Sequence, residues 1–100
     1  MIKHIVMWRL KDDAEGAGKK ENQQKMARML NALPDEIEEI IDFEVGVNFN
    51  DSDAAYDVVL YSVFQNSEAL NRYQNHPKHL EVAAFVGNVR SERAVVDYEI

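Results

Sequence analysis

Residues 56–89 read YDVVLYSVFQNSEALNRYQNHPKHLEVAAFVGNV and contain the patterns of one strand and two helices. The run Tyr56–Phe64 is rich in β-branched and aromatic residues and lacks Gly and Pro, which is typical of a largely buried strand. Asn66 then offers a side-chain oxygen that caps a helix. Pro77 lacks an N–H and disfavours the α conformation at His76, so it ends this helix and begins the next. The stretch therefore predicts a strand, a short helix and a longer helix.

The rest of the chain predicts three more strands and one more helix. Apolar residues alternate along residues 1–10 and 41–49, as in strands, and recur at helical spacing from about Lys19 to Leu33. The segment 50–55, NDSDAA, is rich in turn residues, so the strands on either side of it are expected to pair antiparallel. Residues 94–100 carry the pattern of the last strand.

The resulting order βαββαβ, with its second helical unit split at His76 and Pro77, predicts an α+β fold. Right-handed crossovers arrange these elements as a ferredoxin-like, four-stranded antiparallel sheet under helices, in one domain spanning residues 1–100. Helices cover only one face of such a sheet. Ile5 and Met7 would then lie in water on the other face, so the sequence predicts a homodimer that packs sheet against sheet.

Composition narrows the class of protein. The 100 residues, 46% of them hydrophobic, suffice for one core, and 11 basic against 18 acidic residues leave a net charge of -7. A chain this acidic lacks the positive surface that binds nucleic acid. No apolar run approaches the roughly 18 residues of a membrane span, and the N-terminus shows no signal-peptide cleavage site. The expectation is a cytoplasmic protein without nucleic-acid or membrane partners.

Two segments, MIKHIVMWRLKD (1–12) and ALNRYQNHPKH (69–79), resemble the stress-responsive dimeric α/β-barrel (Dabb) family. The signature is a His in the first strand together with Tyr-x-x-His-Pro-x-His after the third. The resemblance covers nearly the whole chain. It implies a ferredoxin-like fold and a homodimer that forms a dimeric α/β barrel. Members include plant stress proteins, polyketide cyclases and many uncharacterised bacterial chains, so the resemblance implies an architecture rather than one substrate.

All three histidines, His4, His76 and His79, fall in this signature, and their unperturbed pKa values are near neutrality. In the cyclase branch of the family the strand His and the last His of the motif act on the substrate. The resemblance therefore makes His4 and His79 the candidate catalytic residues and Tyr73 a pocket aromatic. His79 lies near the start of the helix opening at Pro77, where the helix dipole favours a neutral imidazole. His76 is expected to brace the helix break beside the site.

Two positions depart from the cyclase pattern. Met26 and Val58 stand where that branch has a Tyr and a His, and neither can transfer a proton. The pocket expected here is therefore more apolar. Its predicted lining comprises His4, Val6, Trp8, Met26, Leu30, Val58, Tyr73 and His79, with His76 as a further binding residue.

Three functions fit these observations. The first is binding of a small apolar or aromatic molecule in the His-containing pocket. The second is a cofactor-independent enzyme, such as a cyclase, isomerase or monooxygenase, that uses His4 and His79 as acid and base. The third is a structural homodimer without a ligand. No metal is expected, because Pro77 keeps His76 and His79 off one helical face and the chain has no cysteine, and no cofactor is expected either.

Overall fold

A computed structural model describes residues 1–100 and shows an α+β, ferredoxin-like fold. The elements are β1 (Ile2–Leu10), β2 (Asp13–Ala14), β3 (Ala17–Gly18), α1 (Lys19–Asn31), a 3₁₀ turn (Leu33–Asp35), β4 (Asp42–Val47), β5 (Val58–Phe64), α2 (Ser67–Asn75), α3 (Pro77–Val89) and β6 (Arg90–Glu99). The four long strands form one antiparallel sheet in the order β4-β5-β1-β6, and β2 pairs with β3 in a separate short hairpin. Three α-helices accompany the sheet, as the sequence predicts.

The central strand β1 places alternate side chains in the core. His4, Val6, Trp8 and Leu10 are buried, whereas Met7 on the opposite face is exposed. A strand directs successive side chains to opposite faces, so this alternation marks the face that the helices cover. The core beneath them joins residues of β1, β5 and all three helices. No helix of the chain is both long and apolar enough to cross a membrane.

The break between α2 and α3 follows the predicted pattern. The Asn66 side chain accepts a hydrogen bond from the backbone N–H of Ala69 at 2.9 Å, which caps α2. His76 adopts an extended backbone, and its Nδ1 accepts a hydrogen bond from the N–H of Lys78 at 3.1 Å. Pro77 is the first residue of α3. His76 thus joins the two helices as a cap, which agrees with its expected bracing role.

Two predicted boundaries were wrong. The first helix ends at Asn31, and Leu33 begins a 3₁₀ turn instead, because Pro34 cannot continue an α-helix. The second strand ends at Val47, so Phe49 does not lie on the buried face but is 97% exposed. Phe49 falls in the turn-rich connection to β5, where the alternation of the strand no longer applies.

The last strand also differs from its prediction. It begins at Arg90 rather than residue 94, immediately after α3. Its register against β1 shifts between Arg9 and Leu10, so that Glu92 lies opposite Arg9 and Arg90 lies opposite Leu10. The extra residue in this irregularity, Ser91, has no partner in the register. This early start brings two arginines into the sheet that the predicted boundary left outside it.

Candidate functional site

A cavity of about 200 Å³ lies between the sheet and α3 and contains both candidate catalytic histidines. Its walls come from β1, β5, β6 and all three helices, and more than half of its lining residues are hydrophobic. Six of the predicted lining residues border it, namely His4, Val6, Trp8, Leu30, Tyr73 and His79. The volume lies below the roughly 300–1,000 Å³ of drug-sized ligand sites. Only a small molecule fits it.

Three predicted binding residues lie elsewhere. Met26 and Val58 are fully buried in the core and do not border the cavity. His76 is outside it as well, because its ring caps α3. Helical and strand periodicity identify the buried face of an element, but which buried residues border an empty space depends on how side chains from several elements meet.

His4 is held in one orientation by groups on both neighbouring strands. Register places it between Ser62 of β5 and Asp97 of β6. Its Nδ1 forms a hydrogen bond with the Asp97 carboxylate, and its backbone carbonyl accepts one from the Ser62 hydroxyl at 2.8 Å. An ionised carboxylate only accepts, so Nδ1 carries the hydrogen. The Nε2 atom makes no hydrogen bond within the protein.

His79 is a neutral imidazole with one free nitrogen. Its Nδ1 donates a hydrogen bond to the backbone carbonyl of Gln74 at 3.0 Å, which leaves the lone pair on Nε2. Burial lowers the pKa of His79 because it disfavours the charged form; the bond to Gln74 opposes this effect, and the positive charge of Arg93 reinforces it. The direction agrees with the sequence prediction, but burial rather than the helix dipole is the main cause.

Tyr73 lies between the two histidines. Its ring centroid is 4.5 Å from that of His79 and 6.3 Å from that of His4. The side chain is fully buried, and its hydroxyl has no hydrogen-bond partner. Burial raises the pKa of this hydroxyl above its usual range, so the group stays protonated and can donate. An unpaired buried hydroxyl costs stability.

The mouth of the cavity is more polar than the sequence predicts. Arg90 and Arg93 of β6 border it, and neither forms a salt bridge. Sequence reasoning missed both arginines because it began the last strand at residue 94. The alternation Arg93, Val95, Asp97 would have placed all three on one face had the strand been extended backwards. No group of three or more His, Asp or Glu side chains is arranged as a metal site.

Comparison with known proteins defines the family. Residues 2–100 match the family described as Stress responsive A/B Barrel Domain, and the chain belongs to this family, as the histidine signature indicates. An uncharacterized protein of Streptomyces coelicolor is 34% identical over 80 residues, which cover 79% of each protein. These matches establish common ancestry without assigning an activity.

Solved structures with the same fold include proteins of different kinds. A dimeric protein of unknown function from Bacteroides fragilis, described as ferredoxin-like, is 32% identical with a TM-score of 0.85, covering 99% of this chain and 95% of its own. The hydroxynitrile lyase of Passiflora edulis aligns with a TM-score of 0.81 over 99% of this chain and 92% of its own, but at 18% identity. At that identity the likeness concerns the fold alone.

Proposed function

We propose that the protein binds a small apolar or aromatic molecule in the cavity between His4 and His79. The observation that carries this proposal is the buried Tyr73 hydroxyl, which has no hydrogen-bond partner in the protein and belongs to a ring whose centroid lies 4.5 Å from that of His79. A purely structural core would be expected to pair such a group. Apolar walls with a few converging polar atoms are the usual composition of a ligand site.

A crystal structure of protein taken directly from its expression host tests this proposal. We expect density for an organic molecule between His4 and His79, with an acceptor atom near the Tyr73 hydroxyl. A dry, collapsed cavity in which both histidines and Tyr73 bond only to the protein would instead support the ligand-free structural homodimer.

A second candidate function is cofactor-independent acid and base catalysis, as in a cyclase, isomerase or monooxygenase. Two observations favour it: His79 is neutral with a free lone pair, and Asp97 fixes the ring orientation and tautomer of His4. In this proposal His79 removes a proton from an activated carbon of the bound molecule. Tyr73 donates a hydrogen bond to the oxygen on which charge develops, and the imidazolium of His79 then returns the proton to the product. The free Nε2 of His4 accepts a hydrogen bond that orients the bound molecule.

Replacing both histidines, His4→Gln and His79→Gln, tests the enzymatic proposal. We expect turnover of the bound molecule, followed by NMR as exchange of its acidic carbon-bound protons with deuterium, to be lost while the circular dichroism spectrum is preserved. Asn71→Gln is the control, since Asn71 is exposed on α2 and lies outside the cavity. Unchanged exchange in the double variant would remove both residues from the chemistry.

We also propose that two copies pack through the uncovered sheet face to form a dimeric α/β barrel. Met7, Val59 and Val96 are exposed on this face, and Tyr98 continues it along β6. Large apolar patches on monomers are uncommon because they cost free energy in water. The relative from Bacteroides fragilis is described as dimeric, which supports an assembly of two copies.

A further inference from the structure

We propose that the ligand of this cavity is a small organic anion, a carboxylate whose apolar or aromatic body lies beneath α3 while Arg93 and Arg90 hold its charged group at the mouth. The inference rests on the proposed binding function and adds the chemical class of the ligand.

The irregularity in β6 turns both arginines toward the cavity. Arg93 lies opposite Trp8, and Arg90 lies opposite Leu10 after the register shift. Trp8 and Leu10 are both on the helix-covered face of β1, so both arginines belong to that face. In a regular strand, side chains three residues apart would point to opposite faces. The unpaired Ser91 is the residue that brings them to the same side.

Both guanidinium groups are free to bind an anion. Neither makes a side-chain hydrogen bond or a salt bridge, in a chain with 18 acidic residues. Arg9, by contrast, is paired with Glu92 at 2.9 Å. Of the two acidic residues on the same face of β6, Asp97 is already bound to His4, and Glu99 lies opposite Ile2 at the other end of the strand. A planar guanidinium donates two parallel hydrogen bonds to a carboxylate, so this pair matches that group in shape and charge.

The interior of the cavity disfavours charged groups, whereas the two arginines at its mouth attract an anion. Burial raises the pKa of Tyr73 and lowers that of His79, so both groups are neutral at pH 7. A ligand charged at its buried end would suffer the same penalty. The charge therefore belongs at the exposed arginines, and the neutral body belongs between Tyr73 and His79. This polarity gradient orients the ligand.

Benzoate and benzamide test the inference because they share a planar aromatic shape and differ in charge. Each is titrated into the full-length protein, and the ring signals of His79 are followed by NMR. We expect benzoate to bind at least about fivefold more tightly than benzamide at low salt. Arg93→Gln should remove this preference by weakening benzoate alone. Lys20→Gln, at the end of α1 away from Leu30, removes the same charge outside the cavity and should keep the preference.

The outcomes separate the inference from the function on which it rests. Equal affinities of the two probes, or equal losses for both in Arg93→Gln, would overturn the anionic ligand and leave the binding function standing. His79 signals that do not move with either probe at saturating concentration would overturn both. A preference lost in Lys20→Gln as well would show general charge attraction and would also overturn the assignment to Arg93.

Discussion

Burial gives two side chains of the cavity their chemical character. Tyr73 is fully buried and His79 is half-buried, and in each case burial disfavours the charged form, so Tyr73 keeps its proton and His79 stays neutral. Their neighbours do not compensate, because the Tyr73 hydroxyl bonds to nothing and His79 bonds only through Nδ1. These residues therefore carry a cost to stability, which the proposed ligand would offset.

Removing the Tyr73 hydroxyl should remove the destabilisation that this unpaired group causes. We expect the free energy of unfolding of Tyr73→Phe, from urea denaturation, to equal the wild-type value or exceed it by up to about 1 kcal/mol, because a buried unpaired hydroxyl is lost. Tyr61→Phe is the matched control: its hydroxyl bonds to Lys3, and its loss should lower stability. A clear destabilisation by Tyr73→Phe would mean that the hydroxyl is paired in solution.

The lowered pKa of His79 predicts a dependence of stability on pH. The folded protein binds this proton less readily than the unfolded chain, whose His has a pKa of 6.5, so protonation favours unfolding. The His79 contribution is complete above the unfolded pKa and is lost as the pH falls below it. We expect the wild-type protein to lose more unfolding free energy than His79→Gln between about pH 7.5 and about pH 5. Parallel losses in the two proteins would contradict the burial of a neutral His79.

At the scale of elements, the junction of α2 and α3 positions the site. Asn66 starts α2, which carries Tyr73, and His76 with Pro77 starts α3, which carries His79. The two caps and Pro77 thereby hold the rings of Tyr73 and His79 against each other. The cavity depends on local signals that are visible in the sequence.

Loss of the cap on α2 should destabilise the fold measurably. Asn66→Ala removes the acceptor for the N–H of Ala69 and should lower the unfolding free energy by about 1 kcal/mol. Asn71→Ala, an exposed position within the same helix, should leave stability unchanged or slightly increased because Ala is the better helix former. Equal effects of the two substitutions in urea denaturation would argue against the cap.

At the scale of the whole molecule, the sheet is covered on one side only. Ile5, Met7 and Val59 lie on the uncovered face, with Val96 opposite Ile5 on β6. Helices that follow β1 and β5 cannot reach both faces of one four-stranded sheet. A second copy is the proposed cover, which makes assembly a consequence of the fold.

Neighbouring valines on β6 provide a test of this assembly. Val96, 59% exposed, lies on the uncovered face, and Val95, 45% exposed, lies on the helix-covered side opposite Val6. We expect Val96→Glu to convert the dimer to a monomer in sedimentation equilibrium, because it buries a charge in the interface. Val95→Glu should remain dimeric. A wild-type protein that is monomeric at micromolar concentration would refute the proposed homodimer.

The order of the four long strands and three helices, the helix break at Pro77, the buried face of β1 and the family were all predictable from the sequence, whereas the short β2–β3 hairpin was not. These features follow from local signals, since side-chain periodicity, caps and proline act over a few residues. The family signature contains His4, Tyr73 and His79, and it therefore predicted that these three residues lie in one site.

The hydrogen-bond partners of the site residues, and the choice of residues that line the cavity, depend on the three-dimensional packing. His4 and Asp97 are 93 residues apart along the chain, and a shift of one residue in β6 would turn Asp97 to the other face. The irregularity at Ser91 likewise decides that both Arg90 and Arg93 reach the cavity. Met26 lies in the core instead of the lining because packing, not periodicity, determines where space is left. Register and packing join distant segments, so no local pattern specifies them.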